Sequence, residues 1–219
     1  MPNIAHLDHL IRERHLLKHP FYVAWARGEV PESTLRNYAG QYYQFESNFP
    51  RYVAATYARL ENAASRRVLL ENLMDEEGRP PTHPDLWVDF GRGLGMTARA
   101  VRGTAPTTAT RALLSTYERH TLRGTAASGL GALYAYESIF PEIAEEKSRG
   151  LRAHYGITDP ASHEFFRVHT VADKEHSAAE RRLLAEEIAR SRRAAHQAEA
   201  ATRSAIASWW GFLDSFPCQ

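Results

Sequence analysis

Two histidines and an aspartate stand at helical spacing in the last third of the chain. His169, Asp173 and His176 occupy positions i, i+4 and i+7 of the stretch 165–187, which contains neither glycine nor proline. Such a stretch predicts a helix, and the spacing brings the three side chains to one helical face. Two imidazoles and a carboxylate beside open positions suit iron or manganese better than calcium or a structural zinc site. A solvated face on a charged helix has the same pattern, so a metal site needs ligands from elsewhere.

Three more candidate ligands come from other predicted helical regions. Glu76 lies in the acidic run 75–77 at a helix C-terminus, where negative charge opposes the helix dipole and calls for a cation or for solvent. His83 follows after a break over 79–82 and begins the next helix. Glu137 is the one carboxylate in the apolar and aromatic stretch 132–141, where its burial is costly without a positive partner. The six candidates are the ligand types of a dinuclear iron or manganese centre inside a helical bundle.

Composition limits the class of protein. The 219 residues suffice for one well-buried domain, and we predict a single domain over 1–219. A formal net charge of +1 favours neither nucleic acid nor a membrane surface as a partner. The single cysteine, Cys218, excludes a disulfide or a thiolate metal cage within one chain. With no apolar signal core or membrane-spanning run in the sequence, we expect a cytoplasmic protein.

Hydrophobic spacing is helical nearly throughout and predicts an all-α fold. The first helix is expected over 4–18, and a long aromatic helix opening at Pro31 is expected to bend at Pro50. Ser65 is the expected N-cap of a helix ending at Glu77. The stretch 107–140 reads as one long helix or two in succession. Further helices are expected to begin near Phe21, His83, Ile143 and Phe165, and a last helix over 194–214 is expected to dock through its aromatic end.

Glycines interrupt the stretch 107–140 at Gly124, Gly129 and Gly131. They weaken a helix but let a neighbouring backbone or a ligand come close. A homodimer could form through this glycine-rich helix or through Trp209 and Trp210, although no residue pattern selects either surface.

Taken together, these motifs resemble those of haem-oxygenase-like dimetal oxidases. The matching elements are NLMDEEG at 72–78, HPDLW at 83–87, AYES at 135–138 and the His-x-x-x-Asp-x-x-His pattern beginning at His169. The sequence is most similar to the folate-metabolism group named for the chlamydial protein associating with death domains. The resemblance spans about 22–187 and implies a haem-oxygenase-like bundle of the TenA and PqqC type. It also implies that the six residues are metal ligands; the family spacing to His83 favours Glu76 over its neighbour Glu77.

The same resemblance implies an unusual reaction. Members of this group make para-aminobenzoate for folate from one of their own tyrosines, using two metal ions, molecular oxygen and an external reductant. Matched to the family pattern, Tyr22 would be the side chain consumed, Tyr38 a radical relay and Lys147 the amine donor. The metal pair could be two irons or manganese with iron, and the sequence does not identify the electron donor. On a straight helix Lys147 would lie roughly 80° around from Glu137, so a kink at Pro141 is needed to turn it towards the site.

Several alternatives share parts of this pattern. A thiamin-degrading TenA enzyme would need a buried cysteine, whereas Cys218 lies near the C-terminal end. A cofactorless oxidase like PqqC would need no ligand set, and a haem oxygenase would leave the carboxylates without a role. A dimetal oxidase acting on an external amino acid or fatty acid remains open, as does a non-enzymatic helical interaction protein.

Overall fold

The computed structural model describes residues 1–218, apart from the side chain of residue 172. Within this part of the chain all regular structure is helical, which confirms the all-α prediction. A short 3₁₀ turn, Leu16–Lys18, follows the first α-helix. The α-helices are α1 (Ile4–Glu13), α2 (Pro20–Arg27), α3 (Glu32–Glu46), α4 (Phe49–Tyr57), α5 (Ala63–Glu77), α6 (His83–Gly93), α7 (Ala98–Arg102), α8 (Thr108–Thr121), α9 (Ala126–Glu137), α10 (Phe140–His154), α11 (Ala161–Arg190) and α12 (Arg192–Leu213).

Local capping explains several helix starts. Thr82 and Asp85 form a reciprocal capping box at the start of α6, in which each side chain accepts a backbone N–H of the other residue. The prediction of Ser65 as the N-cap of α5 is wrong. Asn62 adopts an extended backbone there, and its Oδ1 accepts the N–H of Ala64 at 2.7 Å. Ser65 is buried within the first turn of the helix.

Helices predicted as continuous are interrupted. The first ends at Glu13, and the chain turns before the 3₁₀ segment. The aromatic helix breaks at 47–48, so α3 ends at Glu46 and α4 begins at Phe49. Pro50 falls in the first turn of α4, where its missing N–H costs nothing, whereas inside one long helix its ring would clash with the carbonyl of Glu46. For 107–140 the two-helix alternative is confirmed, with α8 and α9 in succession, and Pro141 falls in the first turn of α10.

Helix α9 lies at the centre of the bundle, packed between α4, α8, α11 and α12. Its residues from Ala127 to Glu137 are all buried. Gly131 allows the backbone of α12 to approach closely, because a Cβ built on it would lie 2.7 Å from the backbone oxygen of Ala198. The aromatic stripe of α3 and α4 is buried in the core; it consists of Tyr38, Tyr42, Phe45, Phe49 and Tyr52.

These packing relations affect the predicted dimer surfaces. Gly129, Gly131 and Trp209 are buried within their own chain, so neither the glycine-rich helix nor Trp209 presents a free face. The homodimer therefore remains a prediction without an assigned surface. Across residues 1–218, no helix combines the length and the apolar character that crossing a bilayer requires.

Replacing Gly131 with alanine should destabilise the protein. The added Cβ must push α9 away from the α12 backbone, and overpacking of this kind costs about 1–3 kcal/mol. Gly211 provides the control, because it lies in α12 with open space where a Cβ would stand. Gly211→Ala should leave stability unchanged or raise it by up to about 1 kcal/mol. Urea unfolding of both variants measures the difference; equal midpoints would contradict this account of α9 packing.

Candidate metal centre

Four side chains from four helices converge in one buried group, here called the inner cluster. It consists of Glu46 at the end of α3, Glu76 near the end of α5, His83 at the start of α6 and His169 in α11. One potential ligand atom from each lies within 4.8 Å of those of the others. Glu76 rather than Glu77 points inward, since Glu76 is 1% exposed and Glu77 is exposed.

A second group, here called the outer cluster, lies beside the first. Glu137 from the end of α9 meets Asp173 and His176 from α11, again with potential ligand atoms within 4.8 Å of one another. His83 and His169 of the inner cluster have ring centres only 4.3 Å apart. The structure thus brings all six predicted ligand residues together in two adjacent clusters; the sequence pattern had located them on three helical regions.

Two buried carboxylates of this region were missed by the sequence analysis. Glu46 belongs to the inner cluster, and Glu180 is fully buried close to Glu137. The sequence contains a helical spacing that could have indicated each of them. Glu46 follows Tyr38 and Tyr42 at steps of four on a buried aromatic face, and Glu180 follows His176 by one helical turn on α11.

Hydrogen bonds orient several cluster residues. Nδ1 of His169 lies 2.7 Å from the carbonyl oxygen of Phe165, so it carries the proton and leaves Nε2 as the free nitrogen. Asn72 donates to Oε1 of Glu137 at 2.9 Å. Nε2 of His176 lies 2.9 Å from Oδ2 of Asp75, so the carboxylate accepts the Nε2 proton and Nδ1 faces the outer cluster. Such contacts fix the tautomer and direction of metal-binding histidines.

Other atoms of these residues lack partners within the described chain. The unpartnered buried atoms are Glu46 Oε1, Glu76 Oε2, His83 Nδ1, Glu137 Oε2, His176 Nδ1 and both oxygens of Glu180. Glu76 Oε2 and His83 Nδ1 lie 3.0 Å apart without hydrogen-bond geometry. Leaving so many buried polar atoms unsatisfied is costly, whereas cations coordinated between them would satisfy them together. The donor set of carboxylates and imidazoles fits iron or manganese.

The pKa shifts of several residues in and beside the two clusters also indicate that positive charge is missing there. Burial raises the pKa of Glu46, and the neighbouring Glu76 carboxylate raises it further. Burial and the charge of Glu137 likewise raise the pKa values of Asp173 and Glu180. Burial alone would lower the pKa of His83, but the Glu76 carboxylate outweighs it and the net shift is upward. A group of carboxylates that resists ionisation in the metal-free chain would ionise readily around cations.

The three residues predicted for catalysis gather next to the clusters. The hydroxyl oxygens of Tyr22 and Tyr38 lie 2.9 Å apart in the core. Lys147 is fully buried, and its Nζ has no hydrogen-bond partner among the described residues. This nitrogen lies 5.3 Å from the ring centre of Tyr22 and 5.1 Å from that of Tyr38. Desolvation holds the pKa of Lys147 well below its ordinary value, although the Glu46 carboxylate acts against this.

The interruption between α9 and α10 accounts for the position of Lys147. Helix α9 ends at Glu137 and α10 starts again at Phe140, so the two residues do not share one helical axis. The ring of Phe140 is close to both the lysine and the inner cluster, with its centre 5.1 Å from Nζ and 5.2 Å from the His169 ring centre.

A model of iron-containing redox enzymes matches residues 36–210 of this chain. The chain belongs to this family. Among its relatives, the 4-aminobenzoate synthase of Chlamydia muridarum is 38% identical over 210 residues, which cover 96% of this chain and 88% of that protein. The 4-aminobenzoate synthase of Nitrosomonas europaea is 37% identical over 217 residues, covering 95% and 88%.

Solved structures confirm the fold of this iron-containing redox enzyme. A haem-oxygenase-like domain from Shewanella denitrificans aligns with a TM-score of 0.78 at 17% identity, over 95% of this chain and 87% of that one. A TenA homologue from Pseudomonas syringae aligns with a TM-score of 0.81 at 15% identity, over 97% and 92%. At these identities the likeness concerns the fold, and the haem-oxygenase-like prediction is confirmed.

Metal binding should stabilise the protein measurably. At a metal concentration about 100 times Kd, one site contributes roughly 2.7 kcal/mol, which raises Tm by about 5–10 °C for a chain of this size. Replacing Asp173 with asparagine should reduce that shift and stabilise the metal-free chain, because asparagine is neutral without taking up a proton, whereas burial disfavours the ionised carboxylate of Asp173. Scanning calorimetry with chelator or with Mn(II) measures both effects.

The control for this prediction is Glu187→Gln. Glu187 is also a buried carboxylate of α11, but it pairs with Arg190 outside the two clusters. Its replacement should leave the metal-dependent rise in Tm intact. A rise of equal size in the Asp173→Asn protein would exclude Asp173 from metal binding.

Proposed function

We propose that this protein makes 4-aminobenzoate for folate biosynthesis, taking the ring from its own Tyr22 and the amine from its own Lys147. The observation that carries the proposal is the location of an unpartnered, fully buried lysine beside the hydrogen-bonded Tyr22–Tyr38 pair. Similarity to 4-aminobenzoate synthases over nearly the whole chain supports the product. The six predicted ligand residues would hold two irons, or manganese and iron, in the inner and outer clusters.

The residues around Lys147 are suited to keeping its amine neutral. Its Nζ lies among the rings of Tyr22, Tyr38, Tyr42, Trp87 and Phe140. These rings exclude water, and the resulting downward shift of the lysine pKa enlarges the fraction of unprotonated, nucleophilic amine near neutral pH. An arginine could not take this role, because its guanidinium stays protonated.

The overall change requires oxidation of the consumed side chain. The Cα–Cβ bond of Tyr22 breaks, Cα takes a hydrogen and Cβ becomes the carboxylate carbon. The phenolic C–O bond breaks and its oxygen leaves as water, while the ring carbon bonds to Nζ of Lys147. The Cε–Nζ bond of the lysine breaks and leaves Cε as an aldehyde, so that two molecules of dioxygen, two electrons and two protons balance the overall change. Dioxygen serves as the oxidant, an external donor supplies reducing electrons, and a bound metal pair would supply the activation of dioxygen. Tyr38, hydrogen-bonded to Tyr22, is positioned to exchange a proton or an electron with it.

Isotopic labelling distinguishes self-consumption from oxidation of an external amino acid. Protein grown on ring-labelled ¹³C-tyrosine is purified, loaded with iron or with manganese and iron, and exposed to air and reductant in unlabelled buffer. We expect 4-aminobenzoate with a labelled ring at no more than one per chain, and an intact protein mass reduced accordingly. Tyr22→Phe should give no product. Unlabelled product that grows with added unlabelled tyrosine would show that the substrate is external.

The source of the amine can be tested directly, because the chain has only three lysines, at positions 18, 147 and 174. In a K18R/K174R protein, Lys147 is the one lysine left, so ¹⁵N-lysine labels a single side-chain nitrogen. This variant should retain product formation and transfer ¹⁵N to 4-aminobenzoate. Lys147→Arg in the otherwise natural chain should lose at least about 99% of product, since guanidinium is not nucleophilic. Unlabelled amine in the product would refute the role of Lys147.

A further inference from the structure

Glu46 is an additional carboxylate of the inner cluster, contributed by α3. It is 3% exposed, and its Oε1 has no hydrogen-bond partner within the described chain. A carboxylate oxygen of Glu46 lies within 4.8 Å of a potential ligand atom on each of Glu76, His83 and His169. His83 Nδ1, also buried and unpartnered, belongs to the same group. A carboxylate and an imidazole nitrogen are therefore both left for a shared cation.

The position of Glu46 on its helix strengthens this interpretation. It is the last residue of α3, where the partial negative charge of the helix end disfavours a carboxylate. No basic residue occupies the last turn of α3 to offset it. The aromatic side chains on the same face of α3 are buried, so solvent does not reach the Glu46 carboxylate. A buried anion in this position is stable only with a nearby cation.

The two clusters differ in the ligands they offer. The inner cluster has two carboxylates and two imidazoles, all buried, whereas the outer cluster has two carboxylates and one imidazole; Glu180, next to Glu137, is not among the residues whose ligand atoms all lie within 4.8 Å of one another. The outer cluster also adjoins a groove of about 520 Å³ between α5 and α11, lined by Asn72, Asp75, His176 and Glu180 among others. A more complete and more enclosed ligand set binds a divalent ion more tightly.

We propose that Glu46 is a fourth ligand residue of the inner metal position and makes it the tighter of the two. The two ions then bind in order, the inner before the outer, and the outer ion exchanges with solvent through the groove between α5 and α11. This inference deepens the proposed function and rests on its metal pair, but it does not depend on the product formed.

Binding of Mn(II) to the metal-free full-length protein tests the proposal. Free Mn(II) is counted by its electron paramagnetic resonance signal during a titration, which should resolve a tight and a weak site. Glu46→Gln should weaken the tight site by more than about 10-fold, since even loss of an outer-shell partner costs that much. Asp173→Asn should weaken the other site and leave the tight one. Glu187→Gln should change neither. If the Glu46→Gln protein bound Mn(II) at both sites as tightly as the natural protein does, the proposal would be overturned.

A second comparison separates coordination by Glu46 from an indirect effect through Lys147. The charges of these two residues influence one another, so Glu46 could act by balancing the lysine. In the double variant E46Q/K147M, loss of the tight site should persist if Glu46 binds the ion. Recovery of the natural affinity on removing the lysine would overturn the proposal.

Folding and function are checked separately. Circular dichroism and Tm in chelator establish that each variant is folded. If the Glu46→Gln protein is unfolded, Glu46→Asp is used in its place. Aspartate keeps the negative charge but moves the carboxylate back by the length of one methylene group. Retention of the tight site in a folded Glu46→Asp protein would count against the proposal. Natural protein that binds two ions and makes no 4-aminobenzoate would refute the proposed function while leaving the role of Glu46 intact.

Discussion

The structure depends on one electrostatic constraint: many acidic groups share a core that is shielded from solvent. The carboxylates of the two clusters and their surroundings are almost completely buried; they are Glu46, Glu76, Glu137, Asp173 and Glu180. Removing even one such charge from water costs several kcal/mol unless it is paired. Within the described chain, hydrogen bonds satisfy only a part of this group, such as the contact from Asn72 to Glu137. Bound cations are the compensation that the arrangement requires, and membership of an iron-containing redox family agrees with it.

The helix boundaries create this constraint. Glu46 and Glu137 are the last residues of their helices, and Glu76 is the last but one of α5. Helix C-termini carry partial negative charge, so these three ends converge with the wrong polarity for carboxylates and the right polarity for metal ions. Prolines at positions 50 and 141 enforce two of the ends, because neither helix can continue through the residue that lacks an N–H. The breaks in the bundle and the location of the acids therefore have one physical origin.

Beside the acidic clusters lies a region of opposite character. Lys147 occupies an aromatic enclosure that supplies no hydrogen bond to its Nζ, and the Phe140 ring of this enclosure also lies 5.2 Å from the His169 ring. Desolvation lowers the pKa of Lys147 in the enclosure and raises the pKa values of Glu46, Glu137, Asp173 and Glu180. Both shifts favour the neutral forms in the metal-free chain. Cations would restore the charge of the carboxylates, whereas the amine, shielded by rings, would keep its lowered pKa. One core thus combines two clusters of carboxylates and imidazoles that could hold metal ions with a fully buried amine.

The sequence by itself predicted the helical class and six ligand candidates, because helical periodicity and the motif on α11 depend on residues that lie close together in the chain. The roles expected for Tyr22, Tyr38 and Lys147 came from the resemblance to a family, and residue spacing alone did not indicate them. The sequence could not choose between adjacent acids on physical grounds, and it missed Glu46 and Glu180. A glutamate on an amphipathic stripe has the same pattern whether its carboxylate meets water or a buried cavity. Only the packing of α3, α5, α6, α9 and α11 decided that Glu76 points inward, that Glu46 joins the inner cluster and that Lys147 is buried. Those outcomes depend on distances between residues far apart in the chain, and local spacing carries no information about such distances.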